Sequence, residues 1–336
     1  MPFFNIYPGP QPTCISHSSA NLMERGNQSK VTDFELLGFS DPPEHQPFLF
    51  VLFLMIYTLI LLGNLMIFCV VRIDPQLHTP MYFFLSCLAL VDIFFTSVTV
   101  PKLLINLLSE SKKISFEGCI TQLYVFVALG NMDSLILAMM AYDRYVAICR
   151  PLHYSMIMKK RLRIQMLVGA GVLVSLHSLL HSIMTSRLSF CGANKMHHFF
   201  CDVPPLINLA CSDTSLNVLL LLTETSIVLL FHFLCIVFSY IRIIFAILKM
   251  QSREGRRKAF STCSSHLVVV ALQYGPLLFT YIRPSSAYSP NRDNIITVLH
   301  TVVAPMLNPF VYTVRNKEMK GALRRAASRI ICSCQK

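Results

Sequence analysis

Seven runs of mostly apolar residues, about 48–72, 79–101, 119–145, 162–186, 216–247, 259–283 and 294–314, constrain this sequence more than any other feature. Each reaches the roughly 20 residues that a helix needs to cross about 30 Å of hydrocarbon. A backbone in lipid must satisfy its own hydrogen bonds, so these runs are predicted as helices. A membrane β-barrel would show alternating segments of about ten residues, and none occurs. Composition agrees, since 54% of residues are hydrophobic and only 14% charged, too few charges for a soluble surface of this size. The expected fold class is an all-α membrane protein, a seven-transmembrane helix bundle. It divides into an N-terminal segment 1–47, the bundle 48–314 and a tail 315–336.

The net charge of +12 would suit nucleic acid only if it formed a basic patch on a soluble face. Instead, twenty of the 29 lysines and arginines fall on one set of connections (1–2, 3–4 and 5–6), their helix ends and the C-terminal tail. Basic loops stay cytoplasmic, so the N-terminus is expected outside and the C-terminus in the cytoplasm. The sequon Asn27-Gln28-Ser29 lies on the outer side, and Asn27 is a glycosylation candidate. Residues 1–22 contain Pro2, Pro8, Pro10 and Pro12 and no apolar h-region. They are expected to be a disordered extension rather than a signal peptide, with Met23 as an alternative start. On the outer side, Cys119 heads span 3 and Cys191, Cys201 and Cys211 occupy the 4–5 loop. Four cysteines allow three pairings, and the residues alone do not choose among them. Cys69, Cys87, Cys149, Cys235 and Cys263 read as small apolar filler in or near the spans. A basic amphipathic stretch at 316–330 is expected to lie as a short helix along the inner membrane surface, with Cys332 and Cys334 after it as palmitoylation candidates.

Short motifs sit on this topology in order. Gly63-Asn64 lies in span 1, and LHTPMYFFL runs from Leu77 to Leu85 into span 2. MAYDRYVAIC spans Met140–Cys149, followed by Pro151-Leu152-His153-Tyr154. Ser239-Tyr240 closes span 5, KAFSTCSSHL fills Lys258–Leu267, and PMLNPFVY fills Pro305–Tyr312, ahead of Arg315-Asn316-Lys317. The 4–5 loop carries HFFCD at His198–Asp202 and ACSD at Ala210–Asp213. Together these motifs resemble the olfactory receptor family of rhodopsin-like G-protein-coupled receptors, over about residues 27–325. The resemblance implies disulfides Cys119–Cys201 and Cys191–Cys211. It also implies an odorant as ligand, a stimulatory (olfactory) G protein as partner, and a rise in cAMP. A multi-pass place in the plasma membrane, in olfactory cilia, follows from the same likeness. Three departures stand out: no tryptophan, Gln273 before Tyr274-Gly275 where an aromatic is common, and the N-terminal extension.

Ionisable groups inside a membrane are functional candidates because hydrocarbon penalises them when unpaired. Asp92 in span 2 and Asp133 in span 3 cannot both ionise without a counter-cation, so they share a proton or a metal ion. The resemblance implies a bound sodium ion, with Asn64, Asn308 and Ser134 as further oxygen donors; a purely structural polar knot fits equally well. No cofactor is required. At the cytoplasmic end, Asp143, Arg144 and Tyr145 are expected to form the activation switch. Arg144 is held at rest by Asp143 or by polar groups such as His266, because span 6 offers Arg256-Arg257-Lys258 in place of an acid. Tyr240 and Tyr312 are the movable hydroxyls, and Asn308-Pro309 is expected to break span 7 as a hinge.

The ligand site is expected in the outer half between spans 3, 5, 6 and 7. Phe126, Val127, Gly130 and Asn131 share a face of span 3 by their spacing. Glu224, Thr225 and Val228 come from span 5, Leu277, Leu278 and Tyr281 from span 6, and Thr301 from span 7. Such a cleft suits a small, weakly polar molecule, although each residue except Glu224 fits a helix-packing role equally well. Phe126 stands where amine receptors carry an aspartate. His197, His198 and Cys201 resemble a metal site only superficially, since Cys201 is expected in a disulfide. His177 and His181, four apart in span 4, read as helix contacts.

Other classes fit less well. A retinal pump needs a span 7 lysine, and 294–314 has none. A transporter should show related halves, and an enzyme a nucleophile–base motif. None is found, and no enzymatic activity is expected. A chemosensory receptor of the same fold acting outside the olfactory epithelium is the nearest alternative.

Overall fold

A computed structural model describes residues 31–39, 43–192, 194–282 and 290–334. The extension 1–22, Asn27 and Lys336 lie outside the described residues, as do the side chains of Thr225, Tyr281, Cys332 and Cys334.

The chain forms the seven-helix bundle. Span 1 is α1 (Gln46–Ile73), span 2 α2 (Pro80–Leu108) and span 3 α3 (Phe116–Cys149). A single-turn α4 (Tyr154–Ile157) lies in the 3–4 connection before span 4, α5 (Lys160–Ser186). A short α6 (Val203–Leu209) precedes span 5, α7 (Ser215–Lys249), and span 6 is α8 (Arg253–Ile282). Span 7 consists of α9 (Pro290–Val298), a π-helical turn (Leu299–Val303) and α10 (Ala304–Arg315), and the tail is α11 (Lys317–Cys334). The helices overrun the apolar limits because polar residues stay helical beyond the hydrocarbon. Thus α8 starts at Arg253 and takes in Arg256-Arg257, and α2 continues through Pro101 to Leu108.

Six described stretches are long and apolar enough to cross a membrane. The more polar α8 completes the bundle by packing on α3, α7 and α10. Its neighbours screen Ser265, His266 and Gln273, all buried. The outward faces carry exposed apolar side chains such as Leu62, Leu173 and Phe231, each more than 60% accessible. In water such a surface would aggregate; in lipid it is the solvated face. The interior is centred on α3, which touches α2, α5, α7 and α8 and contributes Ile136, Leu137 and Met140 to the largest buried cluster.

One end of the otherwise helical bundle is capped by a small sheet that the apolar runs did not foretell. β1 (Asp33–Leu36) pairs antiparallel with β2 (Lys113–Ser115) and parallel with β3 (Lys195–Met196), in the order β2-β1-β3. Strands this short leave almost no periodic signal. The cue was the alternation in Asp33-Phe34-Glu35-Leu36, where Phe34 and Leu36 are fully buried against Cys119, Leu123, Cys201 and Leu206. At the opposite end α11 is clamped to the 1–2 connection: Arg325 Nε donates to Asp74 at 2.8 Å, and its Nη2 lies 2.7 Å from the same carboxylate oxygen. The N-terminal strand and the C-terminal helix therefore lie at opposite ends of the bundle.

Span 7 departs from the expected break at Asn308-Pro309. The helix α10 runs through Pro309, and the irregular turn lies earlier, at Leu299–Val303. Pro305 can neither donate to Thr301 nor fit its ring against that carbonyl, and the wider π turn absorbs the conflict. Pro309 likewise offers no N–H to the carbonyl of Pro305; Asn64 of α1 supplies the missing donor at 3.2 Å. Gly63 makes that approach possible, since a Cβ there would stand 3.0 Å from the Pro309 ring. Gly63→Ala should therefore destabilise the bundle by about 1–3 kcal/mol. Gly171→Ala, whose Cβ would meet nothing within 4 Å, should be neutral or mildly stabilising. Thermal unfolding of the two variants in detergent checks the difference.

Candidate functional site

In the sheet-capped half, the disulfide Cys119–Cys201 ties α3 to the 4–5 loop, and Cys191–Cys211 closes the loop on itself. Gln122 of α3 accepts from the Cys201 N–H at 2.9 Å and donates to the Val98 carbonyl at 2.8 Å, which fixes the loop over α2 and α3. Half-buried Asp202 caps α6 by accepting from the Val203 N–H at 2.8 Å; desolvation pushes its carboxyl up to about 6 against the pull of that bond.

Beneath this lid the candidate ligand residues separate into two groups. Phe126 stacks on Phe95 of α2 at 5.0 Å and meets Phe200 of the loop at 4.4 Å. A Cβ on Gly130 would touch the Phe95 ring at 3.4 Å. Thr301 is fully buried, its hydroxyl donating to the Thr297 carbonyl at 2.8 Å. Asn131, by contrast, turns to α5: its Nδ2 donates to Val127 at 2.8 Å and lies 3.4 Å from His177 Nδ1. Glu224 also faces α5, with Oε2 3.5 Å from His181 Nε2. Val127 packs with the loop cluster, Leu278 joins the main core, and Val228 and Leu277 are half-buried. Sequence reasoning missed Phe95, Phe200 and His300, whose ring is 5.8 Å from Phe95. His300, an intramembrane imidazole one position before Thr301, was the detectable signal. A water-sized cavity between α1, α2 and the loop, lined by Phe39, Leu49 and Phe199 among others, lies apart from these residues.

Deeper in, the polar candidates converge. Asn308 Nδ2 donates to Asp92 Oδ2 at 2.9 Å, and Asp92 and Asp133 lie within electrostatic reach of each other. Asp133 Oδ1, Asn64 Oδ1 and Asn308 Oδ1 are buried and lack a hydrogen-bond partner. Ser134 donates to the Gly130 carbonyl at 3.3 Å. Buried oxygens without donors are the chemistry that a hard monovalent cation satisfies.

At the tail end, a chain of hydrogen bonds crosses three spans. Tyr240 of α7 meets His266 Nδ1 of α8 at 2.8 Å, and His266 Nε2 meets the Leu137 carbonyl of α3 at 3.1 Å. His266 thus latches helices together rather than holding Arg144. Among the described residues no ion pair joins Asp143 to Arg144 either, which corrects the expected lock. Asp143 accepts from the Tyr154 hydroxyl at 2.9 Å, and burial together with that carboxylate pushes the Tyr154 phenol above its ordinary range, keeping it a donor. Arg144 Nε is buried without a partner. Tyr312, its hydroxyl also unpartnered, lies within electrostatic reach of Tyr240 and Arg144 on one side and of Asp133 and Asp92 on the other. Tyr145 is half-buried, its ring 6.2 Å from Tyr142. Beside this end is a groove of about 400 Å³ lined by Cys149, Arg150, Pro151, Leu152, His153 and Ile157, where Leu152 is 90% exposed.

The latch has a measurable signature. Tyr240→Phe should cost about 1–2 kcal/mol of stability, His266→Ala more because it also removes the bond to the Leu137 carbonyl, and the double variant little more than His266→Ala, because the Tyr240–His266 bond is common to both. A double-mutant cycle on thermal unfolding checks it; additive losses would mean the two side chains act separately.

A family profile described as "Olfactory receptor" matches residues 53–330. The chain is 50% identical over 316 residues to olfactory receptor 1L6 of Homo sapiens, covering 94% of this chain and 91% of that one. It is 51% identical over 303 residues to olfactory receptor 1f45 of Rattus norvegicus, covering 90% and 97%. Among solved structures, squid rhodopsin shares the fold, with a TM-score of 0.65 and 18% identity over 89% of this chain and 85% of that chain.

Proposed function

Because this chain belongs to the olfactory receptor family, we propose that it binds a small volatile molecule in the sheet-capped half of the bundle and activates a stimulatory (olfactory) G protein, raising cAMP. A multi-pass membrane receptor with a small-molecule ligand, a G protein partner and no enzymatic role is what membership itself means. The finer reading puts that half outside the cell and the basic end inside, at the plasma membrane of olfactory cilia. The orientation rests on the distribution of lysine and arginine, and the place in the cilia on family membership alone.

One observation carries the signalling part: Arg144, in the last turns of α3, has Nε buried and unpartnered, and the same helix ends at Cys149 in a groove from which Leu152 projects. A guanidinium presents planar donors to backbone carbonyls, and an exposed leucine supplies an apolar anchor; together they suit an inserted helix terminus. While the Tyr240–His266–Leu137 latch holds α7, α8 and α3 together, room for such an insertion is restricted. Ligand contacts at Phe126 act on α3 from the other end, and those at Thr301 act on span 7, which packs on α8, so both support coupling through rigid-body helix movement.

The residues between the two ends fit a sodium ion. Asp92 and Asp133 would hold it, with Asn64, Asn308 and Ser134 as neutral donors. When bound, it would offset one of the two carboxylate charges. Asp92 is already tied to Asn308, so the same group links α2 to span 7 in the resting arrangement.

In cells expressing the receptor with an olfactory G protein, Arg144→Ala should lower odorant-evoked cAMP at least tenfold while surface expression persists. Full-strength signalling by that variant would remove Arg144 from the mechanism. Exchanging sodium for choline should lower the unfolding temperature and raise basal activity in the wild type, and Asp133→Asn should make both readouts insensitive to the exchange.

A further inference from the structure

One polar cluster serves neither the latch nor the central carboxylates, and it lies where spans 4 and 5 meet in the sheet-capped half. His177 and His181 are one helical turn apart on α5, on the same face, with ring centroids 4.7 Å apart. Glu224 of α7 faces them. One donor atom from each of the three lies within 4.8 Å of the others. Nε2 of both histidines and Oε2 of Glu224 are buried and lack a hydrogen-bond partner. His181 is 4% exposed. Three such atoms facing one another away from bulk water offer a ready set of donors to a shared ligand.

We propose that His177, His181 and Glu224 form a binding site for a divalent transition-metal ion of the zinc or copper class. Two imidazoles and a carboxylate are the donor set such ions prefer over magnesium or calcium, which take oxygen alone. Metal–ligand bonds of about 2.0–2.2 Å separate ligand atoms in a tetrahedral site by roughly 3.3–3.5 Å. His181 Nε2 and Glu224 Oε2 already stand 3.5 Å apart. The widest gap has to close by a little over 1 Å (about one imidazole turn at χ2). Asn131 beside His177 and His232, buried two turns further along α7, are the polar neighbours that frame the site. Three protein donors leave a fourth position open to water or to a lone pair on a small ligand. A proton shared by His181 and Glu224 is the competing occupant, and it leaves His177 Nε2 unserved.

The test uses the full-length receptor in lipid nanodiscs, with Co²⁺ as a spectroscopic probe and Zn²⁺ as competitor. Expected are one equivalent of Co²⁺ with visible absorption of a tetrahedral nitrogen–oxygen site, and its displacement by Zn²⁺. His181→Gln and Glu224→Gln should each weaken Zn²⁺ binding at least tenfold, while His197→Ala on the loop changes nothing. His177→Gln provides a third reading where either variant unfolds, as judged by melting in EDTA. No cobalt spectrum, unaltered affinity in the folded variants, or a thiolate charge-transfer band from a free cysteine would overturn the site. Metal binding is read without cAMP, so its failure and a failure of the signalling reading are separable.

Discussion

In hydrocarbon a polar group has no water to fall back on, and most features of this bundle follow from where each such group finds a partner. The helices are the first consequence. The second appears where a helix cannot serve itself: Pro309 withholds a donor from the Pro305 carbonyl, and Asn64 of a different span supplies it, over a glycine small enough to allow contact. Span 1 is thereby bonded to span 7 by a deficit in the latter. The same demand joins His266 to both Tyr240 and the Leu137 carbonyl, since a buried imidazole has two nitrogens to satisfy.

Among the groups for which that demand is unmet, three sets bear on function. Asp133, Asn64 and Asn308 hold unpartnered oxygens at the centre, His177, His181 and Glu224 gather between spans 4 and 5, and Arg144 Nε stands alone at the tail end. Each is polar and buried, and such a group is completed by an ion, a water or a partner.

The helices were legible because lipid forces long apolar runs, and the motif residues because their types match an environment: a proline needs a substitute donor, and an intramembrane acid needs a counter-charge. What escaped the sequence depends on relations between distant segments. The capping sheet pairs Glu35 with Lys113 and Lys195, and stretches of two to four residues carry too little periodicity to announce it. Spacing along α3 put Phe126 and Asn131 on one face, yet that face is wide enough for Phe126 to meet α2 and the loop while Asn131 meets α5. The pair His177 and His181 looked like helix contacts because Glu224 lies some forty residues away and only the crossing of α5 and α7 brings it near. The expected pairing of Asp143 with Arg144 failed for a local reason. Adjacent helical residues point about 100° apart, so the carboxylate accepts from Tyr154, and Arg144 Nε is left without a hydrogen-bond partner.

That division bears on how the two ends communicate. Tyr312 lies between the central carboxylates and Arg144, with no hydrogen bond to hold its hydroxyl. A buried phenol in that position can be served only by a shift of span 7 toward either neighbour. The π turn at Leu299–Val303, which contains His300 and Thr301, is the place in span 7 where backbone geometry is already relaxed from the α pattern. A change in packing at the lid therefore reaches the span at its least regular point, and the unpaired groups further along it are Asn308 Oδ1 at the central carboxylates and then the Tyr312 hydroxyl toward Arg144.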